Sequence, residues 1–471
     1  MKHQISKLYE SFANNLVEFS RQYGAKSWLI FLFVFATIIA MSSAGLSTEM
    51  HSLNRASIAQ ADFNGSNLSI SEASTQPKVD LNQLTDKLPQ PSSPYLKTIQ
   101  ECDKSQETRG VWLTNVDSDV LFTRDNTKKA IANLADLNFN SLYPAVWNWG
   151  HTLYPSPAAE AVTGIKIDPH PGFKNRDILQ EIVEEGHAAQ MKVIPWFEFG
   201  FMAPADSTLA KLHPEWLVRK KDGSTIWWEG KTHRRVWLNP LRPEVQKFIT
   251  ELVVELVSNY DVDGIQVDDH FGYPSEFGYD DYTVALYQQE HQGKQPPRNA
   301  KDPDWVKWRA DKITAYMKTL FSEIKAANSE AIVSVSPNPQ KFSLNSFLLD
   351  WDTWRKKGLI EELIVQVYRN KQTSFINELS QPEMISAQKH IPVSIGILSG
   401  LKGRPVLSGY LKRQVQIARD RKFAGISFFF YESLWNLARE SPESRKETLS
   451  GLFEQPASRQ SQSCLSITHH R

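Results

Sequence analysis

The chain lacks the residues that mark several common function classes. Of its 471 residues only two are cysteine, so a thiol-rich metal centre and a dense disulfide scaffold are both excluded. Charge of neither sign dominates. The 53 basic residues equal the 53 acidic ones, which removes the global positive field that nucleic acid or anionic lipid selects. No His-x-His follows the first apolar strand and no His-Glu-x-x-His occurs; His151, His170, His213 and His233 read as isolated loop residues. No Gly-x-Ser-x-Gly turn is present for a serine nucleophile. Gly396, Gly400 and Gly403 lack phosphate-binding spacing, so no cofactor and no metal are expected.

Long apolar runs are scarce as well. The one of spanning length covers residues 27–46, uncharged and preceded by Lys2, Lys7, Arg21 and Lys26. Ser42-Ser43-Ala44 has the small residues of a cleavage site, so a signal anchor and a cleaved signal are both open. Either places the bulk of the chain outside the cytoplasm, in the periplasm or cell envelope, with the inner membrane as a partner if the segment stays. Residues 1–46 are thus a leader. Residues 47–105, rich in Ser, Asn, Gln, Ala and Pro, form a linker, and 456–471 a polar tail. Cys102 and Cys464 flank the region between, where a disulfide clamping its ends would contribute on the order of several kcal/mol.

What the chain does have is alternation. Between residues 106 and 455, eight short apolar strands are each followed by a helix-like stretch. The strands are expected at 109–114, 141–146, 192–197, 264–267, 331–336, 362–367, 392–398 and 425–430. The helices are expected near 127–137, 177–190, 243–260, up to 327, 349–357, 374–390, 407–422 and 442–453. Strict alternation implies a parallel sheet, and eight units close it into a (β/α)8 barrel of the TIM type with loop insertions. An open doubly wound sheet is the runner-up. It would carry a glycine-rich turn after the first strand, where this chain has Thr114-Asn115-Val116-Asp117.

In such a barrel, chemistry collects at the carboxyl ends of the strands. Those ends offer Asn115 and Asp117, then Trp147, Asn148 and Trp149, then Glu198, then Asp268, Asp269 and His270. Asn338, Tyr368, Arg369, Tyr431, Glu432 and Trp435 complete the ring. A set of carboxylates, amides and aromatics without a thiol is what glycosidic-bond cleavage requires: one acid protonates the leaving oxygen, and a second attacks the sugar or activates water. Side chains alternate along a strand, so Asp268 shares the inward face with Gln266, and Glu198 that of Trp196. Asp268 is the first candidate for nucleophile or base, Glu198 the first for acid, with Asp269 and Glu432 behind it. Asn115, Trp147, Asn148, Trp149, Trp196, Gln266, His270, Tyr273, Asn338, Tyr368, Glu432 and Trp435 are the candidates for holding a glycan. The bland alternative is that these acids cap turns or pair with Arg109, Arg234, Arg235 or Arg369. The aromatic insertion from about 199 to 240, with Trp216, Trp227, Trp228, Glu229 and Trp237, is a candidate cleft wall.

Several stretches are specific enough to compare with a known family: RGVWLTNVDSDVLF (109–122), FNSLYPAVWNWGHTLYPS (139–156), VIPWFEFGF (193–201), WLNPLRPEVQKFI (237–249), DVDGIQVDDHFGYP (261–274), VSVSPNP (333–339) and VQVYRN (365–370). In this order, across residues 108–440, they resemble the glycosyl-hydrolase-like 10 family of bacterial envelope proteins. The resemblance implies a TIM-barrel glycoside hydrolase, exported, with peptidoglycan glycan as substrate. Asp263-Gly264-x-x-x-Asp268 also resembles, more distantly, the fourth-strand motif of the α-amylase-like barrels, whose nucleophile falls at Asp268. Those barrels carry Arg where this chain has Gln266, and a Glu where it has Ser336-Pro337-Asn338, so their acid is unmatched. The rival reading is a non-catalytic, membrane-tethered glycan-binding barrel. An amidase is weaker still, because its metal or thiol is missing.

Overall fold

The computed structural model describes residues 106–460 with the exception of Lys231. The chain runs β1 (Thr108–Leu113), α1 (Arg124–Ala135), β2 (Ser141–Pro144), α2 (Ile178–Ala188) and then β3 in two halves, Lys192–Val193 and Trp196–Phe197. It continues through α3 (Pro243–Asn259), β4 (Gly264–Asp268), α4 (Pro303–Ala327), β5 (Ile332–Ser336) and α5 (Trp351–Lys356). Then follow β6 (Glu362–Gln366), α6 (Gln372–Leu379), β7 (Val393–Leu398), α7 (Ser408–Asp420), β8 (Gly425–Phe429) and α8 (Pro442–Leu452).

All pairings among these strands are parallel. Of the nine segments in the sheet, the two at its ends are the halves of β3. Lys192–Val193 pairs with β2, and Trp196–Phe197 pairs with β4. Only Ile194 and Pro195 separate them, so the sheet returns on itself and eight strands enclose a barrel. The interruption has a local cause. Pro195 has no N–H to give to the ladder, but its carbonyl still accepts from the Gln266 N–H at 2.7 Å.

The helices shield the outer face of the strands. α3 buries Val245, Phe248, Ile249, Leu252, Val253, Leu256 and Val257, a stripe at helical spacing. The helix expected over 374–390 is two helices, α6 and Pro382–Ala387, because Pro382 cannot continue the first and instead opens the second. An additional helix, Gln340–Phe347, precedes α5.

Inside the barrel lies a polar layer. The Trp112 indole N–H donates to Gln266 Oε1 at 2.7 Å, Gln266 Nε2 donates to Ser334 Oγ at 2.9 Å, and Ser334 donates to Glu362 Oε1 at 2.7 Å. Tyr143 also donates to Glu362, at 3.2 Å. Arg459 pairs with the other Glu362 oxygen. Its segment crosses the base of the barrel, where the Glu107 N–H donates to the Ser458 carbonyl and Asn140 to that of Ala457. The first residues of the polar tail therefore close the end opposite the strand carboxyl termini.

The insertion after β3 folds into a three-stranded antiparallel sheet of Met202–Pro204, Trp227–Glu229 and His233–Trp237. It is pinned to the loop after β4, since the Phe201 N–H donates to the His270 carbonyl at 2.8 Å. The crossing needs glycine. At Gly200, φ is +47° and a Cβ would sit 2.4 Å from the His270 carbonyl.

Among the described residues no helix is long and apolar enough to cross a membrane. The apolar run at 27–46, the linker up to residue 105, and the Cys102 and Cys464 pairing lie outside the described residues.

Candidate active site

The register of β3 against β4 decides where the acids meet. Trp196 aligns with Gln266 and Phe197 with Val267. One step further along each chain come Glu198 and Asp268, so two carboxyls leave adjacent strand ends side by side. Asp268 is only 3% exposed. Its Oδ2 accepts from the Trp196 indole at 3.3 Å, and its Oδ1 accepts from the His270 backbone N–H at 2.9 Å. The chain turns at once into the short helix Asp269–Phe271, which brings His270 Nδ1 to 3.1 Å from the same Oδ1. Burial works against the imidazolium, but the Asp268 carboxylate beside it, aided by Asp269 and Glu229, raises His270 to about 9.

Glu198 is placed differently. Thr114 Oγ1 and Asn148 Nδ2 both donate to its Oε2, each at 2.9 Å, and Oε1 has no hydrogen bond among the described residues. Burial in the mouth, with further push from Asp268 and Glu229, outweighs these donors and the pull of His270. The carboxyl is raised to about 8. Neighbouring acids in unlike settings are the pattern of an acid paired with a carboxylate.

Asp269 faces another way. Its carboxylate accepts from the Asn338 backbone N–H at 2.9 Å, from Asn338 Nδ2 at 2.6 Å and from the Ser343 hydroxyl. It ties the end of β4 to the loop after β5, and burial still raises it above the usual carboxylate range.

Around the pair stand Asn115, whose Oδ1 accepts from Asn148 at 2.8 Å, and Tyr368, which stacks on Phe429. The Tyr368 phenolic oxygen is buried without a hydrogen-bond partner among the described residues. Burial and the charges of Asp268 and Glu198 raise it well above its ordinary value. From the insertion, Arg235 lies over Trp149 at 4.6 Å and Phe199 at 5.2 Å and pairs with Glu229 at 2.5 Å. Glu432 and Trp435 belong to the β8 side, where Ser118 donates to Glu432 at 3.1 Å.

Three sequence candidates lie away from this mouth. Trp147 is fully buried against Phe248 of α3, with its indole N–H on the Gly200 carbonyl. Tyr273 is fully buried beside Arg309. Gln266 sits one layer below the mouth in the polar network. Parity aims Gln266 inward as expected, but depth along the strand puts it out of reach. Of the four arginines expected to neutralise the acids, three are engaged elsewhere, Arg109 with Glu107, Arg235 with Glu229 and Arg369 with Glu378, and Arg234 is exposed. Sequence reasoning missed Thr114, which holds Glu198, and the Glu229–Arg235 pair. Thr114 was legible as the last residue before Asn115 at a strand end. The pair was not, because its register depends on the insertion hairpin. Among the described residues no group of His, Cys, Asp and Glu is placed to hold a metal.

Comparison with known proteins addresses the family and the fold. The model of the family described as glycosyl hydrolase-like 10 matches residues 107–418. The chain belongs to that family. Among glycosyl hydrolase-like 10 relatives, the glycosyl hydrolase DigH of Escherichia coli K12 is 28% identical over 324 residues, 59% of this chain and 69% of its own length. The glycosyl hydrolase YngK of Bacillus subtilis is 26% identical over 305 residues, 59% of this chain and 56% of its own. Among solved structures, the PgaB glycoside hydrolase domain of Bordetella bronchiseptica superposes with a TM-score of 0.54 at 13% identity, covering 73% of this chain and 99% of that domain. The catalytic domain of a Paenibacillus polymyxa β-amylase does so with a TM-score of 0.53 at 10% identity, over 75% and 100%. At those identities the likeness is one of fold.

Proposed function

We propose that this barrel is a glycoside hydrolase cleaving O-glycosidic bonds of a bacterial envelope glycan, with peptidoglycan strands as substrate. The observation that carries the reading is the unlike setting of Glu198 and Asp268 at adjacent strand ends. Glu198, raised to about 8, keeps its proton at neutral pH. Both hydrogen bonds fall on Oε2, so Oε1 holds the proton and gives it to the glycosidic oxygen as the C1–O bond breaks. Asp268, oriented by Trp196 and His270, attacks the anomeric carbon or takes a proton from the attacking water. Asp269 holds the β5 loop in place rather than meeting the sugar. Asn115, Asn148, Trp149, Trp196, His270 and Tyr368 line the ring's faces and hydroxyls, Asn338 fixes the neighbouring loop, and Glu432 holds the β1 loop through Ser118.

Family membership and relatives named as glycosyl hydrolases in two bacteria support the reaction class. The charge-flanked apolar run at 27–46 supports export to the envelope, with the segment acting as signal or inner-membrane anchor. Wild type and Asp268→Asn should be incubated with purified glycan strands and the products analysed by mass. New reducing ends with wild type and at least a thousandfold slower release with the variant are expected. Near-full hydrolysis by Asp268→Asn would refute the assignment. Saturable binding with unaltered strands would identify a binding module instead.

A further inference from the structure

One groove outside the mouth combines aromatic and amide side chains that the chemistry above does not use. It lies between α1 and α8, where the chain leaving β8 passes through the short helix Tyr431–Leu434. Its volume is about 290 Å³, and Asn133, Tyr431, Trp435, Asn436, Glu443 and Lys446 line it. That is just below the roughly 300–1,000 Å³ of ligand pockets, so it suits no more than one small ring.

The lining specifies the chemistry of that ring. Trp435 and Tyr431 meet edge to face with centroids 6.1 Å apart, which leaves ring surface uncovered by the partner. Both pack partly against the core, so their planes are fixed before any ligand arrives. The two asparagines add amide groups, of which the Asn436 Nδ2 is held by Glu432 and Asn133 meets Tyr431. Lys446 and Glu443 contribute one charge of each sign, and Lys446 also lies 3.9 Å from Asp136 at the end of α1. A stacking platform, amides and no net positive charge select a neutral sugar rather than an acidic one.

The groove is also connected to the carboxyl pair. Glu432, next to Tyr431, accepts from Ser118 of the β1 loop and from Asn436 at the groove's rim. The same β1 loop brings Thr114 to Glu198 and Asn115 to Asn148. One loop and one short helix therefore join the two places.

We infer that this groove is a remote subsite that holds a neutral sugar unit of the strand whose bond is cut between Glu198 and Asp268. The inference rests on the glycosidase reading above and adds to it a preference for long strands. The test uses the full chain as wild type, Trp435→Ala and Lys446→Trp; the last fills the groove from an exposed position on α8. kcat/KM is measured on long purified strands and on fragments of two or three sugars, and equilibrium binding of both is measured alongside, with melting curves to confirm folding. The expected result is that the long-to-short preference falls about tenfold in both variants, through KM. Hydrolysis with a preference within twofold of wild type in the folded variants overturns the groove and leaves the glycosidase reading standing. If wild type cleaves nothing, that reading fails. The groove then survives as a glycan site only if wild type binds long strands more tightly and Lys446→Trp abolishes the difference; equal binding overturns it.

Discussion

Replacing Glu198 by Gln separates the proposed proton donation from stability, because the two should respond in opposite directions. Glu198 is raised from its ordinary 4.5 to about 8. The folded state therefore holds a proton that the unfolded chain releases between those values. The sign follows: no penalty exists below pH 4.5, stability is lost as pH rises from 4.5, and the loss is complete above about 8. At 1.36 kcal/mol per pH unit, the interval from 4.5 to 7 corresponds to a cost of about 3 kcal/mol. Glutamine is isosteric with the protonated acid. Its carbonyl oxygen can still accept from Thr114 and Asn148, and it cannot ionise.

Glu198→Gln is thus expected to melt like wild type at pH 4, and several degrees higher at pH 7 and 8. Hydrolysis of strands should meanwhile fall about 10²–10⁴-fold, the usual contribution of a positioned general acid. The assay is thermal melting of both proteins at intervals from pH 4 to 9, with product release measured on the same samples. A difference in melting temperature that does not change with pH would refute the reasoning, because it would mean that Glu198 ionises in the fold as it does in water.

Four further outcomes follow from the same geometry. The wild-type rate should decline above pH 8 as Glu198 loses its proton, which a pH profile of kcat/KM reads directly. Asp268→Asn removes the charge that raises His270, so the imidazole should titrate below its present value of about 9 and move toward 6.5; an unchanged value by NMR would deny the pairing. Gly200→Ala drives a Cβ into the His270 carbonyl at positive φ, and should cost on the order of 1–3 kcal/mol in denaturant melts while lowering kcat. Arg459→Ala strands the Glu362 carboxylate inside the barrel and should cost about 3–5 kcal/mol, with much of the loss recovered by adding Glu362→Gln.

Much of the barrel was legible because its strands are short apolar runs separated by helical periodicity, and β4, β5 and β8 begin and end within a residue of expectation. The break in β3 was written at Pro195 and the split after α6 at Pro382, yet hydrophobic pattern alone runs through both. Parity correctly sent Gln266 and Asp268 to the same side. It carries no information on depth, however, and depth separates a residue in the polar layer from one in the mouth. Trp147 shows the same limit: a tryptophan at a strand end reads as a sugar platform until the turn after β2 directs it onto α3. The partners of Asp269 come from the β5 loop and the helix that follows it, 69 and 74 residues away, where no local signal points back.

The sharpest local feature, Asp268-Asp269-His270, gains its meaning from the point at which the strand stops. Within a strand, Asp268 and His270 would share a face and Asp269 would oppose them. Because the strand ends at Asp268 and a tight helical turn begins, three consecutive side chains serve three purposes. Asp268 stays in the mouth beside Glu198. Asp269 anchors the neighbouring loop. His270 folds back so that its backbone N–H and its ring both reach Asp268. This turn creates the asymmetry between the two acids: both occupy the same poorly solvated mouth, but a cation lies directly against Asp268, whereas the hydrogen-bond donors of Glu198 are neutral. The difference in surroundings between the two carboxyls is therefore a consequence of backbone geometry at the end of β4, and lengthening β4 by one residue would dissolve it even with every side chain retained.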